Sequence, residues 1–113
     1  MPARPVSNTT EQVTTFAGLE PNTGYIVYFH AYHYEDDPTP YTLGVWARSN
    51  SVGIVRAYAL MEDLAQGYQG LPEAPVYEVQ ACISDLAGVE IACGLAVYVG
   101  YYPESMWWYD GRP

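Results

Sequence analysis

Tyr25-Ile26-Val27-Tyr28-Phe29-His30-Ala31-Tyr32 is the stretch that decides the fold. Tyr25, Val27, Phe29 and Ala31 alternate with Ile26, Tyr28, His30 and Tyr32, so character repeats every second residue. That is the period of a pleated strand, not of a helix. Aromatic and β-branched side chains fill the run, and these pack well on a half-buried pleated surface. The reading is a long strand that turns Tyr25, Val27, Phe29 and Ala31 to a core. Tyr28 and Tyr32, with Tyr34 beyond, fall on the opposite side.

Working outward, Val13 to Phe16 is Thr-rich, bounded by Gly18, and reads as a short strand. Downstream, Glu35-Asp36-Asp37-Pro38-Thr39-Pro40 sets three carboxylates among two prolines, which cannot continue a ladder and predict an exposed, solvated loop. Leu43, Val45 and Ala47 then alternate with Thr42, Gly44, Trp46 and Arg48, a strand returning beside its predecessor. Ile54 to Leu64 mixes strand and helical spacing and is read as a strand running into a short helix near residues 55–65. After a connection over Gln66 to Pro75, Val76 to Ile83 and Val89 to Val99 form a hairpin around Ser84 to Gly88. Its inward faces are expected to be Tyr77, Val79, Ala81 and Ile83 against Val89, Ile91, Cys93, Leu95, Val97 and Val99. The expected fold is all-β, a Greek-key-like β-sandwich of about six or seven strands. It forms a single domain over 1–113, with an extended arm (1–10) and an aromatic tail (101–113).

Gly18-Leu19-Glu20-Pro21-Asn22-Thr23-Gly24-Tyr25, continuing to Ala31, resembles the fibronectin type III family of immunoglobulin-like sandwiches. There a Leu-x-Pro-x-Thr-x-Tyr run turns the fifth strand into the sixth, and Leu19, Pro21, Thr23 and Tyr25 stand at that spacing. The resemblance implies a structural corner: Pro21 fixes φ in the turn, and the Tyr25 hydroxyl bonds to backbone a few residues upstream. Four strands and roughly 50 residues precede the corner in that family, whereas 18 residues precede Leu19 here. Either the Val76–Val99 hairpin supplies equivalent strands in rearranged order, or a neighbouring chain completes the sandwich by strand addition. A chain of 113 residues favours the first.

Thirteen acidic residues against four arginines give a net charge of −9. Arg4, Arg48, Arg56 and Arg112 are scattered, so no basic stripe exists to neutralise phosphates, and nucleic acid and anionic membrane are excluded as expected partners. Met1 to Thr15 is polar and nearly uncharged, unlike a secretory signal, so the expectation is a protein used without export. Cys82 and Cys93 are too few to close a zinc site alone. Strand parity points Cys93 inward and Cys82 outward; they are separate thiols unless a bulge shifts the register by one and permits a disulfide.

No catalytic, cofactor or metal site emerges. His30 and His33 differ in strand parity and cannot share a metal, and Glu35, Asp36 and Asp37 lack the spacing of a calcium loop. Neither Ser84 nor Cys93 sits in a nucleophile motif, and a chain without lysine has no Schiff-base chemistry. The distinctive feature is aromatic, 12 tyrosines and three tryptophans against two phenylalanines. Tyr and Trp provide rigid contact area with a polar edge, so Tyr28, Tyr32, Trp46, Trp107, Trp108 and Tyr109 are the expected interface. The expectation is a non-enzymatic structural or interaction protein docking on a protein scaffold such as a capsid or tail subunit. It would work in a homo-oligomeric or symmetric assembly within a tailed-phage virion formed in the host cytoplasm. The alternative is an extracellular glycan- or protein-binding adhesion module.

Overall fold

The computed structural model describes residues 11–66 and 74–101. Seven strands and one short helix follow in order among them: β1 (Glu11–Phe16), β2 (Gly24–Tyr32), β3 (Tyr41–Arg48), β4 (Val55–Leu60), α1 (Met61–Leu64), β5 (Val76–Ser84), β6 (Glu90–Cys93) and β7 (Val97–Tyr101). All the pairings are antiparallel. β1 and β4 form a two-stranded sheet; the second sheet runs β3-β2-β5-β6, with β7 further along the same edge of β5 as β6. The fold is an all-β sandwich whose two layers differ in width.

β2 lies at the centre of the wide sheet because its alternating pattern supplies a complete apolar face. Tyr25, Val27, Phe29 and Ala31 are buried, while Ile26, Tyr28, His30 and Tyr32 on the reverse side are half-buried. Val55, Ala57 and Ala59 of β4 close over that face, with Phe16 of β1 packed beside them. Val79, Ala81 and Ile83 extend the core along β5, and Met61 and Leu64 of α1 plug one end. A fully buried Phe or Val contributes about 1.5–3 kcal/mol relative to exposure, so this layer carries much of the hydrophobic stabilisation.

The hairpin departs from simple alternation at two points. A register shift between Val76 and Glu78 turns Tyr77 away, and Val76 enters the core opposite Tyr101. A second shift between Ile83 and Ser84 leaves Ile91 without a facing residue, so Glu90, Cys82 and Cys93 share the outer face. Cys93 therefore does not point inward; it faces Cys82 directly and the two form a disulfide with Cα atoms 4.0 Å apart. The bulge that a bridge demands is present. The second strand of the hairpin is itself broken into β6 and β7 around Gly94, whose N–H donates to Ala81 O (2.8 Å). Val89, Ile91, Leu95 and Val97 are exposed, contrary to their expected inward placement, because the narrow β1–β4 sheet does not reach over this edge. Tyr101, expected to begin a free tail, is instead a buried core residue ending β7.

Two connections between the sheets meet at one joint. The Glu20 N–H donates to Tyr25 Oη (3.0 Å), five residues downstream, and the Thr23 hydroxyl donates to Pro21 O (2.8 Å). Buried Ser49 ties this corner to the end of β3: its Oγ accepts from the Thr23 N–H and its own N–H donates to Thr23 O. Asn50 shapes the next turn, its Oδ1 accepting from the N–H of both Val52 and Ile54 at 3.0 Å. Gly53 closes the joint at φ +78°, with Leu19 N–H donating to its carbonyl (3.0 Å). A Cβ on Gly53 would lie 2.1 Å from Leu19 O, so only glycine permits the approach. Gly53→Ala is expected to destabilise the fold by about 1–3 kcal/mol through positive φ alone, with the clash adding to it, measured as a lower urea midpoint.

Candidate functional site

Among the described residues no layer covers the outer face of the wide sheet, and the register sets its residues in rows. Trp46, Ile26 and Ser84 form one; Gly44, Tyr28, Cys82 and Cys93 the next; Thr42, His30 and Gln80 the third. Two glycines give the rings their seats. A Cβ on Gly44 would lie 3.3 Å from the Tyr28 ring, and one on Gly24 would lie 3.3 Å from Leu86 and 3.4 Å from the Trp46 indole. The aromatic rings thus lie over bare backbone, a pairing that protects strand glycines. The result is a shallow platform of Trp46, Ile26, Tyr28 and Leu86, bounded by the disulfide on one side. Trp46 is 60% exposed. His30 Nδ1 lies 2.8 Å from Thr42 Oγ1, which fixes the ring along the platform's edge.

Tyr28 and Tyr32 are on this outer face, half-buried, and Trp46 joins them through the β2–β3 register. Trp107, Trp108 and Tyr109 lie outside the described residues. Leu19, Pro21, Thr23 and Tyr25 form the corner described above. Ser49 and Asn50, absent from the expected corner set, complete it. Their signal was the Ser49-Asn50-Ser51 cluster, since Asn and Ser side chains cap turns by bonding nearby backbone.

The acidic loop is not wholly solvated. Asp37 is buried at 4% exposure: its Oδ2 accepts from the His33 N–H (2.9 Å) and lies 3.0 Å from His33 Nδ1, while Oδ1 accepts from the Thr39 N–H (2.9 Å). His33 Nε2 faces Gln66 O at 3.3 Å, so the pair also anchors the segment after α1. Burial opposes ionisation of Asp37, but the two backbone N–H bonds and the His33 ring outweigh it and hold the carboxyl below its ordinary value. Beside the loop, Tyr77 stacks edge-on against Tyr98 with centroids 5.2 Å apart. The Glu35 carboxylate first, then desolvation and the Glu78 carboxylate, raise the Tyr77 hydroxyl's pKa.

One grouping of possible metal ligands occurs among the described residues, Cys82, Glu90 and Cys93, whose ligand atoms lie within 4.8 Å of one another. Both sulfurs are committed to the disulfide, leaving a single carboxylate. Comparison of the chain with protein-family models, with curated proteins and with solved structures gave no match.

Asp37→Asn is expected to cost about 2 kcal/mol at pH 7, since bonds to a charged acceptor are worth roughly 1.5–3 kcal/mol. Because the folded pKa is depressed, the contribution is present above the ordinary value of 3.8 and disappears as pH falls through the lowered one. Urea titrations of both proteins should therefore converge in acid; a gap that persists there would contradict the charge-based account. Reducing the disulfide, which links residues 11 apart, is expected to lower the unfolding free energy by about 3 kcal/mol on the chain-entropy model, read from urea midpoints with and without reductant.

Proposed function

We propose that this chain is a non-catalytic interaction module that works by presenting aromatic surface, most concretely as a virion component of a tailed phage docking on a capsid or tail scaffold. The observation that carries the reading is Trp46, 60% exposed on the uncovered face of a wide sheet with Ile26, Tyr28 and Leu86 around it. Exposed Trp and Tyr seated rigidly on a strand are the side chains that dominate binding energy at protein interfaces. The charge of −9 adds support, since it opposes non-specific association elsewhere on the surface while the platform itself carries no ionised group. The disulfide fits a protein that functions outside a reducing cytosol, as virion surfaces and secreted modules do.

A second reading, a fibronectin type III-like adhesion module, is favoured by one specific feature. β1, β2 and β3 flank the corner as the fifth to seventh strands of such a sandwich would. β4 beside β1 and β5 beside β2 occupy the places of its second and third strands. The missing strands would then be supplied from the C-terminal side, in a permuted order. On this reading Trp46, Tyr28 and Tyr32 stack on a glycan or protein ligand.

The two readings separate in solution. For an assembly subunit, mass measurement after size exclusion is expected to give a symmetric oligomer. Trp46→Ala, or removal of residues 107–109, should return it to a monomer without changing its strand circular dichroism. A monomer at every concentration that gives a Trp46-dependent hit on a glycan array would replace the first reading with the second.

A further inference from the structure

The narrow sheet leaves more than an uncovered outer face. Where the edges of the two layers meet, between β3 and β4, the sandwich is open and holds a cleft of about 630 Å³. That volume lies within the roughly 300–1,000 Å³ of ligand sites. Leu43, Val45 and Ala47 of β3 and Ala57 and Ala59 of β4 supply inward apolar walls, and the exposed rings of Trp46 and Tyr58 line the cleft as well. β4 pairs with β1 on one side only. Along its other side, half of its backbone N–H and C=O groups meet no strand among the described residues, which is the template for adding one.

Charge gives the cleft a direction. Arg48, ending β3, and Arg56, near the start of β4, stand at the end closed by the 49–54 turn; Asp63 of α1 lines the opposite end. Arg48 and Arg56 are two of only four basic residues in a chain carrying 13 acidic ones. Among the described residues the one ion pair is His33 with Asp37, so neither guanidinium has a carboxylate partner there. From Arg48 to Leu43 along β3 is about 17 Å at roughly 3.4 Å per residue, the span of an extended segment of about five residues.

We propose that this cleft accepts an extended strand of a partner protein, added antiparallel to β4, with alternate apolar side chains turned inward and a carboxylate at its C-terminal end held by Arg48 and Arg56. β4 runs from the arginine end toward Asp63, so an antiparallel guest brings its C-terminal end to the guanidiniums and its N-terminal end to the Asp63 carboxylate. Antiparallel pairing is the commoner arrangement and is slightly more stable per residue. The proposal deepens the interaction-module reading by naming the chemistry of a partner; its cleft shares Trp46 with the platform but not Ile26, Tyr28 or Leu86.

The test is a fluorescence-anisotropy titration of the full chain with two end-blocked, fluorescein-labelled peptides, Lys-Val-Thr-Val-Thr-Val-Glu and its charge-reversed counterpart Glu-Val-Thr-Val-Thr-Val-Lys. The first is expected to bind at least tenfold more tightly than the second, with the difference shrinking in high salt. In the double variant Arg48→Glu/Arg56→Glu the order of the two peptides should invert, with strand circular dichroism unchanged. Equal binding of both peptides, binding of neither, or a preference that the double variant leaves intact would overturn the proposal. A concentration-dependent dimer that protects the β4 amides from hydrogen exchange would overturn it too, by naming a second copy as the occupant. Any of these results leaves the oligomer mass and its dependence on residues 107–109 to judge the interaction-module reading separately.

Discussion

The strict alternation of β2 is the constraint on which the rest of the molecule depends. Val27 and Phe29 are fully buried, and among the described residues the strand layer that covers them is the inner face of β4, with β1 beside it. β4 answers with Val55, Ala57 and Ala59, residues small enough to let the two layers approach. This packing fixes which side of every strand in the wide sheet faces solvent, because antiparallel neighbours share faces across the register. The aromatic platform, the cross-strand disulfide and the exposure of Trp46 all follow from that single choice of face.

The difference in width between the layers accounts for the surfaces left over. Two strands cannot roof a sheet of four strands and a further edge strand, so apolar side chains on β6 and β7 remain in solvent and the β3–β4 side stays open. The exposed Leu95, Ile91 and Val97 belong to a stretch, Leu86 to Tyr101, whose single ionised side chain is Glu90. Exposed sheet edges are ordinarily blunted by charge, proline or bulges. Here the bulges are present and the charge is nearly absent.

Much of the architecture is legible in the sequence where the pattern is local. β2, β3 and the strand-to-helix passage at Val55–Leu64 each carry their own periodicity, and the outward placement of Tyr28 and Tyr32 follows from Tyr25, Val27 and Phe29 without reference to anything distant. What was not legible depends on partners far along the chain. The bulges at Val76/Glu78 and Ile83/Ser84 exist only relative to β7 and β6, and they moved Cys93 and Tyr77 to the other face. Val89 to Val97 alternate as a core strand would, yet their exposure is set by the reach of β1 and β4. Asp37 looked like one of three solvated acids, but a turn brings it back on the His33 N–H, and no composition rule distinguishes it from Asp36. That Arg48 and Arg56 line one cleft likewise depends on a turn closed by Asn50 and Gly53.

The joint between Leu19 and Gly53 has a counterpart in the opposite kind of loop. At Asp85–Gly88 the turn is organised internally, with Asp85 Oδ1 accepting from Ala87 and Val89, and a Cβ on Gly88 would meet nothing within 4 Å. Foreign sequence spliced at Gly88 therefore has room to leave the sheet, whereas the same graft at the joint would lever both connections at once. The hairpin tip is the natural attachment point for an epitope or a fluorophore.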